Sequence, residues 1–263
     1  MQKIHRKAVH ELSIEELSYY TKKIEKNLDK RKSRITIKRE NLVYLTEGVW
    51  EQIRLYTLFP MSEITDQVGT LRLFEASLMQ ASYHRLANNP EMSWPITLPE
   101  HPEVSWKGEG ILKTGFICPS MWLDAYFTSV IVRDKPSIDL LANFPISLMK
   151  QSSTKAGELS YMLVDVIQSF HNRTSDYPLT TDIGYDFEEV LIKNLQFQEQ
   201  YQMRLDEPDD LISIETFISF PLLGMACMWY DKGNRLSVET GWLPPYLVEG
   251  RWLDDVKAGR ITR

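Results

Sequence analysis

The chain has 263 residues, a net charge of −6, 43% hydrophobic and 25% charged residues, and two cysteines. A chain this long buries roughly 70% of its unfolded surface, and its composition excludes a disordered, fibrous or disulfide-stapled protein. No run reaches the ~20 apolar residues of a membrane helix, and His10, Glu11 and Glu15 interrupt any signal-peptide core.

Cys118 and Cys227 lie in or beside apolar runs far apart in sequence, so free buried thiols in a reduced, cytoplasmic protein are expected. The charge is unevenly spread. Residues 1–40 carry twelve Lys/Arg against six Asp/Glu, which leaves eighteen against thirty in the remainder, a net of −12. An acidic body repels nucleic acid and speeds encounter with basic partners.

The first predicted helix opens at Ser13-Ile-Glu-Glu-Leu17, where Ser13 is placed as N-cap and Glu16 completes a capping box. Ile14, Leu17, Ile24 and Leu28 then recur at roughly helical spacing. A second helix is predicted over 36–58, with Leu42, Leu45, Val49, Ile53 and Tyr56 on one stripe, and a third over 65–87 through Val68, Leu71, Phe74, Leu78 and Ala81. Long amphipathic helices with short connections imply antiparallel packing. Residues 88–118 are punctuated by Pro90, Pro95, Pro99, Pro102, Gly108, Gly110 and Gly115 around β-like pieces at 94–98 and 104–106. These signals predict one long loop that can contain a short hairpin.

Helical patterning returns at Pro119 and runs to Val132, apolar almost all round as in a buried central helix. A short helix follows from Pro136 and stops at Pro145, and others are predicted over 159–170, 182–205 and 216–230, with Gly233 closing the last. The fold class is therefore an all-α, multi-helix bundle of antiparallel pairs in a single domain, 1–263. Within it, residues 1–90 form the N-terminal helices, 91–118 the long loop and 119–263 the core.

Two segments are the most distinctive: Met121-Trp-Leu-Asp-Ala-Tyr-Phe-Thr-Ser-Val-Ile-Val-Arg-Asp134, and Phe220-Pro-Leu-Leu-Gly-Met-Ala-Cys-Met-Trp-Tyr-Asp-Lys-Gly233 with its sequel Trp242-Leu-Pro-Pro245. Each is an apolar helix with a polar stop. Arg133 and Asp134 are expected to form a polar lock with groups such as Asp124 or Asp231, while Asp231 and Gly233 end a helix. Read from the residues alone, these are scaffold positions. The pairing resembles the immunity protein 49 family of bacterial polymorphic toxin systems, in which a Trp-Leu-Asp-Ala helix reaches an Arg-Asp and a later Pro-Leu-rich helix closes on Tyr-Asp-Lys/Arg-Gly before a Leu-Pro element. The match covers about 122–149 and 220–247. It implies a toxin-binding role and marks Trp122, Asp124, Arg133, Asp134, Tyr230, Asp231, Gly233 and Pro244 as signature residues.

Asp206-Glu-Pro-Asp-Asp210 gathers four carboxylates at the end of a predicted helix, where the macrodipole disfavours negative charge. Either the loop is fully solvated or it meets something basic. Asp206, Glu207, Asp209 and Asp210, with Glu103 and Glu109 of the long loop, are the candidate partner contacts. An acidic cluster can occupy the cationic surface that a nuclease presents to phosphates.

Enzyme signatures do not assemble. Lys113-Thr-Gly115 and Ser147-Leu-Met-Lys150 stand in the wrong order for a penicillin-recognising serine enzyme and have no Ser-Asp-Asn companion. The histidines His5, His10, His84, His101 and His171 form no HExxH or Glu-x-x-His pattern, so no metal or cofactor is expected. Basic residues over 22–39 lack the aromatics and motif of a nucleic-acid site. The reading is a non-enzymatic immunity protein that occludes a basic toxin, with an α-helical adaptor that binds a protein or peptide as the alternative.

Overall fold

A computed structural model describes residues 2–4, 14–35, 48, 63–96, 104–174, 187–204 and 218–261. Its helices are α1 (Ile14–Ile35), α2 (Glu63–Asn88), α3 (Pro119–Ile131), α4 (Lys135–Ala142), α5 (Ile146–Gln151), α6 (Glu158–Thr174), α7 (Phe187–Gln202), α8 (Phe220–Asp231), α9 (Pro245–Val248) and α10 (Leu253–Lys257). Its strands are β1 (Gln2–Ile4), β2 (Ser93–Ile96), β3 (Val104–Lys107) and β4 (Val238–Thr240). The chain is mostly helical, as its periodicity predicts, and among the described residues no helix is long and apolar enough to cross a membrane.

The core is built around α3. Pro119 starts this helix where its missing N–H costs nothing, and the following run contains no glycine or proline until the chain turns. Met121, Trp122, Ala125, Tyr126, Phe127, Val130 and Ile131 are buried on several faces, and α2, α4, α6 and α8 pack around them. The α3–α8 contact is the closest. A Cβ on Gly224 would lie 2.6 Å from Phe127 Cδ1, so glycine lets the two helices approach. The indole of Trp122 stacks on Tyr126 at 5.0 Å between centroids and donates to the Leu141 carbonyl at 2.9 Å, which ties α3 to α4.

The long loop does contain the hairpin: β2 and β3 pair antiparallel, with Trp94 opposite Trp106. Gly110 and Gly115 both adopt left-handed φ (85° and 84°) on either side of a 3-10 turn at Ile111–Thr114. Tyr83 of α2 hydrogen-bonds Thr114, and burial raises its phenol pKa to about 12.

Several elements differ from the sequence expectations. β1 pairs parallel with β4, joining the two ends of the chain, and the Glu188 carboxylate of α7 accepts from the Ser237 amide beside them. Three residues in a polar N-terminal stretch carry no periodicity from which that pairing could be read. The last long helix begins at Phe220, not 216: Ser219 is its N-cap and Pro221 fits its first turn. Pro145, expected only to stop α4, is the N-cap of α5. The predicted helix over 36–58 lies outside the described residues except for Gly48, which is helical and buried.

A Cβ on Gly108 would collide with the Leu86 carbonyl at the end of α2. Gly108→Ala should therefore lower stability by at least the ~1–3 kcal/mol of an overpacked site. Urea unfolding measures this, and a stability equal to wild type would show that the hairpin is not clamped to α2.

Candidate functional site

The polar stop of α3 is a Schellman ending: Arg133 N–H donates to Val130 O (3.0 Å) and Asp134 N–H to Ser129 O (2.9 Å). This motif wants a left-handed residue, usually glycine, at the position taken by Arg133, whose φ is 49°. The side chain explains the exception. Arg133 Nε and Nη2 donate to the two carboxylate oxygens of Asp231 at 3.0 and 2.8 Å, Nη1 donates to Ile131 O and Leu247 O at 2.7 Å each, and Nη2 also donates to Val248 O at 2.7 Å.

All five guanidinium N–H donors are thereby used. Their acceptors lie at the C-terminal ends of α3, α8 and α9, where carbonyls lack helical partners and the macrodipole favours a cation. Asp231 is unfavourably placed at a helix C-terminus by itself, and the fork of Arg133 reverses that balance. The Arg133 carbonyl accepts from Lys257 Nζ of α10 at 2.9 Å. Gly250 (φ 69°) passes close by: a Cβ there would sit 3.5 Å from Arg133 Cζ. Trp252, also left-handed at 68°, begins α10.

Of the two partners expected for the lock, the structure selects Asp231. Asp124 is excluded, and Asp134 turns away from the lock. The Asp134 carboxylate is buried at the start of α4, where it accepts from Ser137 Oγ (2.5 Å) and Ser77 Oγ (3.1 Å), linking α4 to α2. Ser77 and Ser129 touch at 2.9 Å beside it. The remaining signature residues are local. Gly233 (φ 89°) closes α8 with its N–H on Tyr230 O, Arg235 stacks over the Tyr230 ring at 4.4 Å, and Pro244 is the N-cap of α9.

Asp124 stands apart, half-buried on α3 with no hydrogen-bond partner. Desolvation raises its carboxyl pKa to about 7. Thr128, one turn on, also has a buried hydroxyl without a partner. Cys227, buried beside Leu247 O, has its thiol pushed up to about 11 by desolvation and is unreactive.

Sequence reasoning missed the buried polar groups of α2. Arg72 and Glu75 form an ion pair at 2.8 Å with side-chain exposures of 0% and 2%. His84 packs edge-on against Phe144, and burial lowers its pKa to about 4, so it is neutral at physiological pH. His171 Nε2 lies 3.1 Å from Asp139 and its Nδ1 lies 3.5 Å from Tyr126 OH. This row resembles a catalytic relay in order only, because the Tyr126 hydroxyl that would be its nucleophile is fully buried. Among the described residues no group of three or more His, Cys, Asp or Glu could hold a metal ion.

Of the expected partner contacts, Glu109 is exposed in the turn after β3. Glu103, Asp206, Glu207, Asp209 and Asp210 lie outside the described residues. No protein-family model, curated protein or solved structure matches the chain.

Replacing Arg133 separates side chain from backbone. Arg133→Ala removes the partner of the Asp231 carboxylate and the donors to the Ile131 and Val248 carbonyls, while Leu247 O keeps the Gly250 N–H, and should cost about 2–3 kcal/mol. Arg133→Gly should cost ~1 kcal/mol less, because glycine relieves the left-handed strain. Equal losses in urea unfolding would mean that the φ of Arg133 carries no strain.

For Asp124 the sign follows from a folded pKa raised from 3.8 to about 7. Its carboxyl leaves stability intact below pH 3.8 and lowers it progressively as pH rises to about 7. Asp124→Asn should therefore raise Tm at pH 8, by at least the ~2–4 °C that one kcal/mol gives in a chain of this size class. It should leave Tm unchanged at pH 4, and thermal scans at the two pH values check it.

Proposed function

We propose that the chain is an immunity protein that neutralises a cognate bacterial toxin by stoichiometric binding and occlusion, without catalysis of its own. The observation that carries this reading is the use made of its two distinctive segments. The Trp-Leu-Asp-Ala…Arg-Asp and Tyr-Asp-Lys-Gly elements resemble the immunity protein 49 family, and here they meet in one lock. Arg133 of the first segment pairs with Asp231 of the second, while Asp134 binds Ser77 and Ser137 and Trp122 binds the Leu141 carbonyl. That arrangement suits a rigid binding body better than a reaction site.

The toxin we infer is basic and is probed first as a nuclease. The net of −12 outside residues 1–40 supports this, since it would steer a cationic active-site face. Glu109, Glu103 and the carboxylates of Asp206, Glu207, Asp209 and Asp210 are the proposed contacts. The adaptor reading shares the rigid helical body and differs in the partner.

Co-expression with a toxin encoded beside this chain tests the reading. Growth should be rescued, a complex should co-purify, and inhibition should be complete at one chain per toxin. Inhibition at far lower ratios would reveal an enzyme that modifies the toxin. An intact fold with neither rescue nor complex would sink the proposal.

A further inference from the structure

Helix α6 buries Tyr161, Val164, Ile167, Gln168 and His171 against the core. Its outer face is not polar: Leu159, Met162, Leu163 and Val166 are 81%, 58%, 48% and 48% exposed. The spacing i, i+3, i+4, i+7 makes a continuous apolar stripe over two turns. Its positions are symmetric about the point between Met162 and Leu163.

The charges around the stripe are not symmetric. Near the N-terminal end stand Lys155 and Lys150, the latter 3.2 Å from Glu158, together with the positive end of the α6 dipole. Further along lies Asp165, exposed and without a partner. Lys150 and Glu158 offset each other, so Lys155 and the dipole leave this end net positive, while Asp165 makes the face negative further along.

We propose that this stripe docks against the same stripe of a second copy, with the two α6 helices antiparallel across a two-fold axis through the Met162–Leu163 midpoint. That axis sets Leu159 against the partner's Val166, and brings Met162 and Leu163 each beside its own copy near the axis, as an isologous contact requires. It also sets Asp165 toward the lysine-bearing end of the opposite helix and opposes the two dipoles. A parallel arrangement would bring like ends together. Four side chains of this size bury on the order of 1,000 Å² across both copies, the low end of specific interfaces. The dimer is therefore weak and concentration-dependent. This inference does not depend on the toxin reading.

Sedimentation velocity from about 1 to 500 μM is the test, spanning the range in which an interface at the low end of specific sizes dissociates. The wild-type chain should shift from monomer to dimer. Met162→Asp should abolish the shift, and Asp165→Lys should weaken dimerisation several-fold, both with unchanged circular dichroism and melting. Geometry is read by oxidative cross-linking. A Met162→Cys chain should link to itself, because the two copies of this position face each other near the axis. A Ser169→Cys chain should not, because the rise per residue puts its two copies about 20 Å apart. A monomer at every concentration, a dimer indifferent to Met162→Asp, or equal cross-linking at both positions would overturn the proposal. So would a monomeric chain whose Met162→Asp form loses binding to a partner protein, since the stripe would then belong to that partner.

Discussion

Three helix ends converge on one guanidinium. α3, α8 and α9 each finish with carbonyls or a carboxylate that accept hydrogen bonds, and Arg133 reaches one or more at each end from a single planar fork. A lysine at this position has three donors at one point and could not reach acceptors spread around a plane. The left-handed backbone of Arg133 follows from the same demand. A right-handed residue would carry α3 onward and aim the side chain away from α9, so the structure accepts strain that glycine would avoid. Lys257 on the Arg133 carbonyl then fixes α10 to the same point. The ends of α3, α8 and α9 and the side chain of Lys257 are brought together by a group whose charge is only partly exposed.

The second organising device is polar burial along α2. Ser77 reaches Ser129 and Asp134, Tyr83 reaches Thr114, and Arg72 pairs with Glu75. Apolar packing by itself tolerates sliding of one helix along another by a turn, whereas a hydroxyl opposite a carboxylate does not. Such contacts add little net stability but penalise the wrong register. α2 is therefore held on one side by α3 and α4 and at its end by the hairpin, whose Gly108 leaves no space for a side chain over Leu86 O.

These contacts join the ends of α3, α8, α9 and α10 on one side and anchor α2 on the other. Of the distinctive residues, Trp122, Asp134 and Pro244 are buried, Asp124, Arg133 and Tyr230 are half-buried, and Asp231 and Gly233 are exposed at the end of α8. What the core leaves to solvent includes Glu109 in the turn after β3 and the outer face of α6, where apolar side chains meet water.

The helical class, most helices and the hairpin were legible from the chain, because apolar spacing, prolines and glycines act within a few residues. The lock was half legible. Arg133 stood out as a charge at the end of an apolar run, and two acids were open as partners. Choosing between them required knowing that α8 ends beside α3 while Asp124 faces another way. The β1–β4 pairing, the ion pair inside α2 and the exposed outer face of α6 were not legible at all. Whether a serine, an arginine or a leucine meets water or a neighbour depends on which element packs against it. Sequence determined most of the long helices that the structure describes; tertiary structure added the short ones after Pro145, Pro244 and Trp252 and decided which polar groups meet, because partners 52 to 124 residues apart are joined only by packing.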